Sequence, residues 1–406
     1  MRTHVILLTI LLGLQFISCK KAVQTSVSSD ALTINLDELQ QVDKEYYSTL
    51  FEGAGVIVLE TTENSLLSRV DRMEFLDDNL YVLESDQGLF RFDKTGKFIK
   101  KIGGKGSGPG EYISPTDFTI DRTHKKIYLL DVQTQTVIRY SAEGDYEELL
   151  NLKDETSKVR SICFRIHYFN DRLYTDLYVQ APDEEKPLLA ELDLKSGKRM
   201  RTFLNADQHK KGWNELYFTM QRCFVPTENP KFMQSFMDTI FEINKDGVMP
   251  YIIFKSENLA TREKIDDKWG QSEKFYEVFR AIEHAGKICE FSEYIESDAF
   301  ICFKYLMSRY VHIVLHKKRE GTTCLVRRMV NDIFYNENAK RPLIFNLTSF
   351  DKERAYSIIM DNDYSRKSTM ENLNTNGINS NVEGIENLKG LDDDSNPVIV
   401  YFKFKK

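Results

Sequence analysis

A strand-like run, a short polar tip ending in glycine and a second strand-like run recur four times between Leu89 and the residues after Gly247. The copies read Leu89–Gly96, Val137–Gly144, Leu192–Gly197 and Ile240–Gly247, with their glycines about 48, 53 and 50 residues apart. That period is the size of one four-stranded sheet in a radial array, so the chain is expected to be all-β and built as a ring of repeated blades. Asp77-Asp78-Asn79 and Lys94-Thr95-Gly96 supply the short polar turns that hairpins require.

With 406 residues, 41% of them hydrophobic, the chain can bury a large core. Twenty Tyr and 26 Phe against nine Pro favour strands over disorder. The net charge of −7 is mild and dispersed, which excludes a nucleic-acid footprint. Lys317-Lys318-Arg319 sits between strand-like runs and reads as a solvated hairpin tip.

Residues 1–18 read as a signal peptide. Arg2 and His4 precede an apolar run, Val5–Ile17, that is too short to span a membrane. Phe16-Ile17-Ser18-Cys19 resembles the lipobox of bacterial lipoproteins, although Phe16 stands where Leu is usual, and it makes Cys19 the expected lipidation site. Residues 19–30 would be a lipidated tether. The basic Lys20-Lys21 after the cysteine favours an outer-membrane anchor facing the periplasm, with surface exposure the alternative. The five remaining cysteines form no C-x-x-C and imply no disulfide framework. Several sit among apolar neighbours and read as buried.

The strand-like runs sort into blades over residues 31–406. Blade one runs from Ser68, with Arg69–Phe75 as its inner strand, and blade two from Asp117 to Asn151. Blade three covers Val159–Leu204 and blade four Phe218–Phe254. Residues 258–287 carry apolar groups near helical spacing and are expected to form a helical insertion. Blade five covers Tyr294–Arg328. Blade six is expected to hold Leu343–Leu347 and Ala355–Met360, with a polar excursion over residues 361–394 before the closing strand Pro397–Phe404. Leu32–Leu36 and Val56–Glu60 are expected beside that closing strand, so that the two termini share a blade and no sheet edge is left bare. Six blades account for the chain; seven is the alternative count.

Between blades one and two lies Ile102–Tyr112, which contains Gly106, Gly108, Pro109, Gly110 and Glu111. A phosphate loop needs Gly-Lys followed by Ser or Thr at the start of a helix, whereas Gly106 and then a strand follow here. The loop reads as a tight crossing to the next inner strand; exposed amides that hold an anion are the alternative. Phe98–Gly103, Gly108–Tyr112, Asp117–Asp121 and the ending Asp394–Val400 resemble NHL- or TolB-like blades, and more narrowly the six-bladed β-propeller lipoproteins of Gram-negative gut bacteria. The resemblance implies a fold and brings no agreed catalytic residues.

No catalytic constellation is visible. His312 and His316 lie on a strand, no H-E-x-x-H or G-x-S-x-G occurs, and Asp77-Asp78 and Asp392–Asp394 fall in turns, so neither a metal nor a cofactor is expected. Arg69, Arg72, Asp117, Arg165 and Arg222 lie on or near inner strands and are the candidate ligand site, a polar, anion-accepting funnel beside Gly103–Tyr112. The plainer reading places them in ion pairs between blades. The expected function is a non-enzymatic module at the envelope that binds a protein or a small polar or anionic ligand, in a nutrient-uptake or signalling complex. The alternative is a propeller hydrolase, lactonase-like or glycan-cleaving, with its site in the central channel.

Overall fold

The computed structural model describes residues 31–152, 160–180, 186–206, 223–260, 275–336, 343–360 and 377–406, with Ala339, Lys367 and Thr369. The signal peptide, the tether with Cys19, and Arg222 lie outside the described residues, as do parts of the helical insertion and of the polar excursion.

Six antiparallel sheets form the ring. In blades one to three the four strands follow one another in chain order. They are Arg72–Leu76, Asn79–Glu84, Gly88–Asp93 and Phe98–Ile102; Pro115–Asp121, Lys126–Asp131, Thr136–Ser141 and Tyr146–Asn151; and Ile166–Phe169, Arg172–Asp176, Lys186–Leu192 and Arg199–Ala206. Blade four has two-residue inner strands, Phe224–Val225 and Lys231–Phe232, before Thr239–Asn244 and Gly247–Lys255. Blade five comprises Phe291–Glu296, Phe300–Met307, Tyr310–Lys317 and Thr322–Val326. Blade six takes Ser349–Phe350, Arg354–Ile359 and Val398–Phe404, then borrows Phe51–Val58 from the N-terminal region, antiparallel to the last of these.

That borrowed strand closes the ring as expected, but its companion does not join it. Leu32–Asn35 pairs in parallel with Gly247–Lys255 on blade four, and Gln40–Val42 pairs in parallel with Thr322–Val326 on blade five. The N-terminal segment is therefore a strap that crosses the outer edges of blades four and five before it completes blade six. Ile34 and Leu36, on the strap itself, are buried, so it is held by core packing as well as by its ladder. Blade six's own outer edge is bridged by the excursion: Gly55 pairs in parallel with Glu383, and the Val56 amide donates to the Glu383 carbonyl. Two inner strands also differ from expectation. Leu343–Leu347 is irregular and Ser349–Phe350 takes its place, while blade one starts at Arg72 rather than Arg69. The insertion contains the helix Phe275–His284, which packs Phe279 edge-on against Phe236.

The tip glycines do two jobs. All four have positive φ, the left-handed conformation that other residues resist. Three also abut the preceding blade: a Cβ on Gly96 would enter the Val58 carbonyl, one on Gly144 would lie 2.8 Å from Ile102, and one on Gly197 would lie 2.7 Å from the Asn151 carbonyl. Gly247 meets nothing. The period therefore records inter-blade contact in the first three blades and only a turn in the fourth.

Candidate functional site

The inner strands meet at an axial cavity of about 580 Å³. Arg72 and Glu74 from blade one, Thr119 and Arg122 from blade two, His167 from blade three, Glu228 from blade four and Tyr356 from blade six line it. A smaller hollow of about 340 Å³ shares Pro226, Ser349 and Phe350 with it and brings in blade five through Ser292–Tyr294. Asp77, Thr123, Asn170 and Lys352, all in turns that follow inner strands, border the larger cavity. Its mouth is thus on the face where inner strands end. The glycine loop leads into an inner strand and lies on the other face.

Two of the five sequence-predicted residues come together. The Arg72 Nε lies 3.1 Å from Asp117 Oδ1, close enough for an ion pair though not aligned for a hydrogen bond. Arg72 Nη2 donates to Glu74 at 2.5 Å, and its guanidinium covers the Phe118 ring. Asp117 Oδ2 accepts the Ile166 amide at 2.9 Å. Asp117 therefore ties the inner strands of blades one, two and three together, and Arg72 and Asp117 are both buried. Of the four that are described, Arg72 alone lines the cavity. Arg69 lies on the flank of blade one, paired with Asp71 at 2.9 Å and Asp86 at 2.7 Å. Arg165 folds back so that Nη1 donates to its neighbour's Phe164 carbonyl.

Several of the other wall charges are engaged, whereas Glu228, Lys352 and Glu353 show no side-chain partner among the described residues. Arg122 donates to the Phe75 carbonyl and lies 3.6 Å from Glu74; Asp77 pairs with Lys125 at 2.8 Å; Asp351 accepts the Tyr356 hydroxyl. His167 stands apart from these charges. It is buried, stacks 5.7 Å from Phe224, and its Nδ1 has no hydrogen-bond partner among the described residues. Burial, with Arg72 and Arg122 nearby, pushes its pKa down to about 3, so the imidazole is neutral at ordinary pH.

The glycine loop is closed upon itself. Glu111 accepts the Gly108 amide at 2.8 Å, and its carboxylate occupies the space that a Gly106 side chain would need. The buried Tyr112 donates to the Ile102 carbonyl, and Tyr140 donates to the Gly110 carbonyl at 2.9 Å. Gly103, at φ +65°, has the Tyr140 hydroxyl 2.6 Å from where a Cβ would stand. Pro109 is exposed at the tip. An anion at the Gly108 amide would have to displace Glu111.

One repeated feature escaped the sequence reading. The second strands of blades one to three end in buried acids, Glu84, Asp131 and Asp176. Glu84 accepts the Ser68 amide, Asp131 the Ile113 amide, and Asp176 those of Phe164 and Arg165, each just ahead of its own blade's inner strand. The signal was an acid after the aligned Leu80–Leu83 and Ile127–Leu130, and at the end of Leu173–Asp176.

His312 stacks on Tyr305, and His316 bonds Thr323 at 2.9 Å. Among the described residues no group of three or more His, Cys, Asp or Glu is placed to hold a metal. The five cysteines there are free thiols, four of them buried. No described helix is long and apolar enough to cross a membrane.

Ring, closing strand and axial cavity together define a six-bladed β-propeller. The chain belongs to the family described as a domain of unknown function, DUF4934, whose model matches residues 31–403. A Bacteroides fragilis protein, described as exported, superposes with a TM-score of 0.66 at 18% identity, over 93% of this chain and 99% of its own. A DUF4221 member from Bacteroides vulgatus follows with a TM-score of 0.50 at 10% identity, over 88% and 97%. No curated protein matches.

Proposed function

We propose that the protein is an exported, lipid-anchored binding propeller, akin to NHL-type modules, that takes a small hydroxyl-rich ligand in its axial cavity. One observation carries the ligand class. The cavity's two arginines are paired with acids, while His167, held neutral, keeps a buried Nδ1 with no hydrogen-bond partner among the described residues. Paired arginines leave little net attraction for a free anion. A neutral imidazole and engaged carboxylates suit hydroxyl groups, which donate and accept at once. The tether sequence around Cys19 supports the anchor, and the Bacteroides neighbour described as exported supports export.

Thermal unfolding in the presence of mono- and oligosaccharides, compared with inorganic phosphate and dicarboxylates, tests the ligand class. At about 100 times Kd a ligand stabilises by about 2.7 kcal/mol, a shift of several degrees. A saccharide should raise Tm, and His167→Phe should abolish that shift while the variant stays folded. A response to phosphate alone, or to nothing in the panel, overturns the reading. Cys19→Ala should move the protein out of the membrane fraction; unchanged fractionation removes the anchor.

A further inference from the structure

A second and larger cavity, about 790 Å³, lies between blades five and six. Its floor is the face of blade five turned toward blade six, with Ile295, Cys302 and Ile313. Its walls are Tyr47 and Leu50 on the strap's short helix, and Phe345 and Leu347 ahead of blade six. The volume is that of a small-molecule site, and the lining is mostly apolar.

Its polar features are few and placed. Glu293 has φ +48° at the bulge between Ser292 and Ile295, a conformation that non-glycine residues adopt at a cost. It pairs with Lys304 at 2.6 Å, so the floor is neutral. Asn331 contributes a buried Nδ2 with no hydrogen-bond partner among the described residues. At the mouth Arg327 is exposed and lies 3.7 Å from Asp43, while Arg328 is exposed and its guanidinium has no partner among the described residues. Asp332, the nearest acid on that segment, is occupied in accepting the Ser48 amide and hydroxyl at the start of the strap helix. Ile344 at 85% exposure and Tyr46 at 43% border the same opening. The site offers an apolar interior, one buried donor and a cationic, greasy rim.

We propose that this cavity binds an amphipathic carboxylate, its chain or ring against Tyr47, Ile313 and Phe345 and its carboxylate at Arg328 and Asn331. Burying the apolar body supplies affinity, while the arginine rim selects the sign of the head group. The site is separate from the axial cavity, so it stands or falls without the saccharide reading.

Anilinonaphthalene sulfonate fluorescence on the full mature chain reports occupancy. Dodecanoate should displace the dye at micromolar concentration, at least tenfold better than hexanoate or dodecyltrimethylammonium. Arg328→Glu, a surface change, should weaken dodecanoate at least tenfold and leave the cation unaffected or improved. Leu343→Trp should block the mouth and lower dye binding at unchanged Tm, and His167→Phe should change nothing. Equal displacement by the cationic surfactant would mean a general apolar patch and overturn the proposal. So would dodecanoate binding that survives both Arg328→Glu and Leu343→Trp, or that His167→Phe abolishes.

Discussion

Blades one to three and blades four to six solve the same packing problem in different ways. The first three are joined by repeated local devices. Small apolar clusters sit between successive blades, buried acids at second-strand ends hold the approach to each inner strand, and tip glycines touch the blade before. Charge tolerates burial there because Arg72 is ion-paired with both Glu74 and Asp117. Blades four to six lack those acids at the matching strand ends. They share one continuous core with the strap, rich in aromatic contacts such as Phe254–Phe291 at 3.9 Å and Phe51–Phe404 at 5.6 Å. Repetition holds one half together, and a long-range belt holds the other.

The largest test removes the belt. Deleting residues 31–44 strips the parallel strands from blades four and five and exposes the surface that Ile34 and Leu36 cover. Each buried aliphatic accounts for about 1.5–3 kcal/mol and the lost ladder adds to that, so the half-ring should lose more than about 5 kcal/mol. Hydrogen exchange read by region should show fast exchange in residues 224–326 while 72–151 stays protected. Uniform loss across all six blades would show that the halves are not separable.

Next in size is the acid device. Asp131 accepts the Ile113, Gln133 and Thr134 amides. Asp131→Ala leaves three donors to water or to nothing, and should cost about 3 to 4 kcal/mol in urea unfolding. A cost below about 1 kcal/mol would demote the acids from fasteners to ornaments of the repeat.

This contrast explains what could be read in advance. The tip glycines and aligned second strands made blades one and two legible almost strand by strand, because local turn chemistry repeats there. Leu32–Asn35 was assigned to the wrong blade because its partner, Ile252–Lys255, is more than two hundred residues away and nothing local encodes the pairing. Ser349–Phe350 was missed because a two-residue strand has no period. In the candidate site, charge on the inner strands was visible, but its partners were not. Arg72 and Asp117 look the same in sequence whether they face a ligand or each other. His167 carried no pattern; only its unfilled Nδ1 marks it.

The regular half should also carry a pH signature. Burial raises the Asp176 pKa to about 6, against two backbone amide bonds and Arg165, which lower it, with Asp117 adding to the rise. Its folded pKa exceeds the unfolded value of 3.8, so between about pH 4 and 6 the folded state holds the extra proton. Stability is therefore lost as pH rises through that window and is flat above it, by up to about 3 kcal/mol. Asp176→Asn keeps an acceptor for both amides. It should match the wild type near pH 4 and exceed its urea midpoint at pH 8. A constant gap at all pH values would mean that Asp176 is ionised throughout.

The smallest effect isolates the repeat itself. Gly144 and Gly247 occupy equivalent tips, at φ +90° and +143°. Alanine at either position meets the same kind of backbone penalty, on the order of 1 kcal/mol or somewhat more. Only at Gly144 does the new methyl also press on a neighbouring blade, with Ile102 Cγ1 2.8 Å away and Lys100 behind it at 3.3 Å. Ile102 is fully buried and cannot swing aside, whereas Gly247 faces open space. Gly144→Ala should therefore cost about 1 to 2 kcal/mol more than Gly247→Ala, seen as a lower urea midpoint at unchanged slope. Equal costs would mean that the glycine period reports turn geometry alone, and that blades one to three gain nothing from the tip contact.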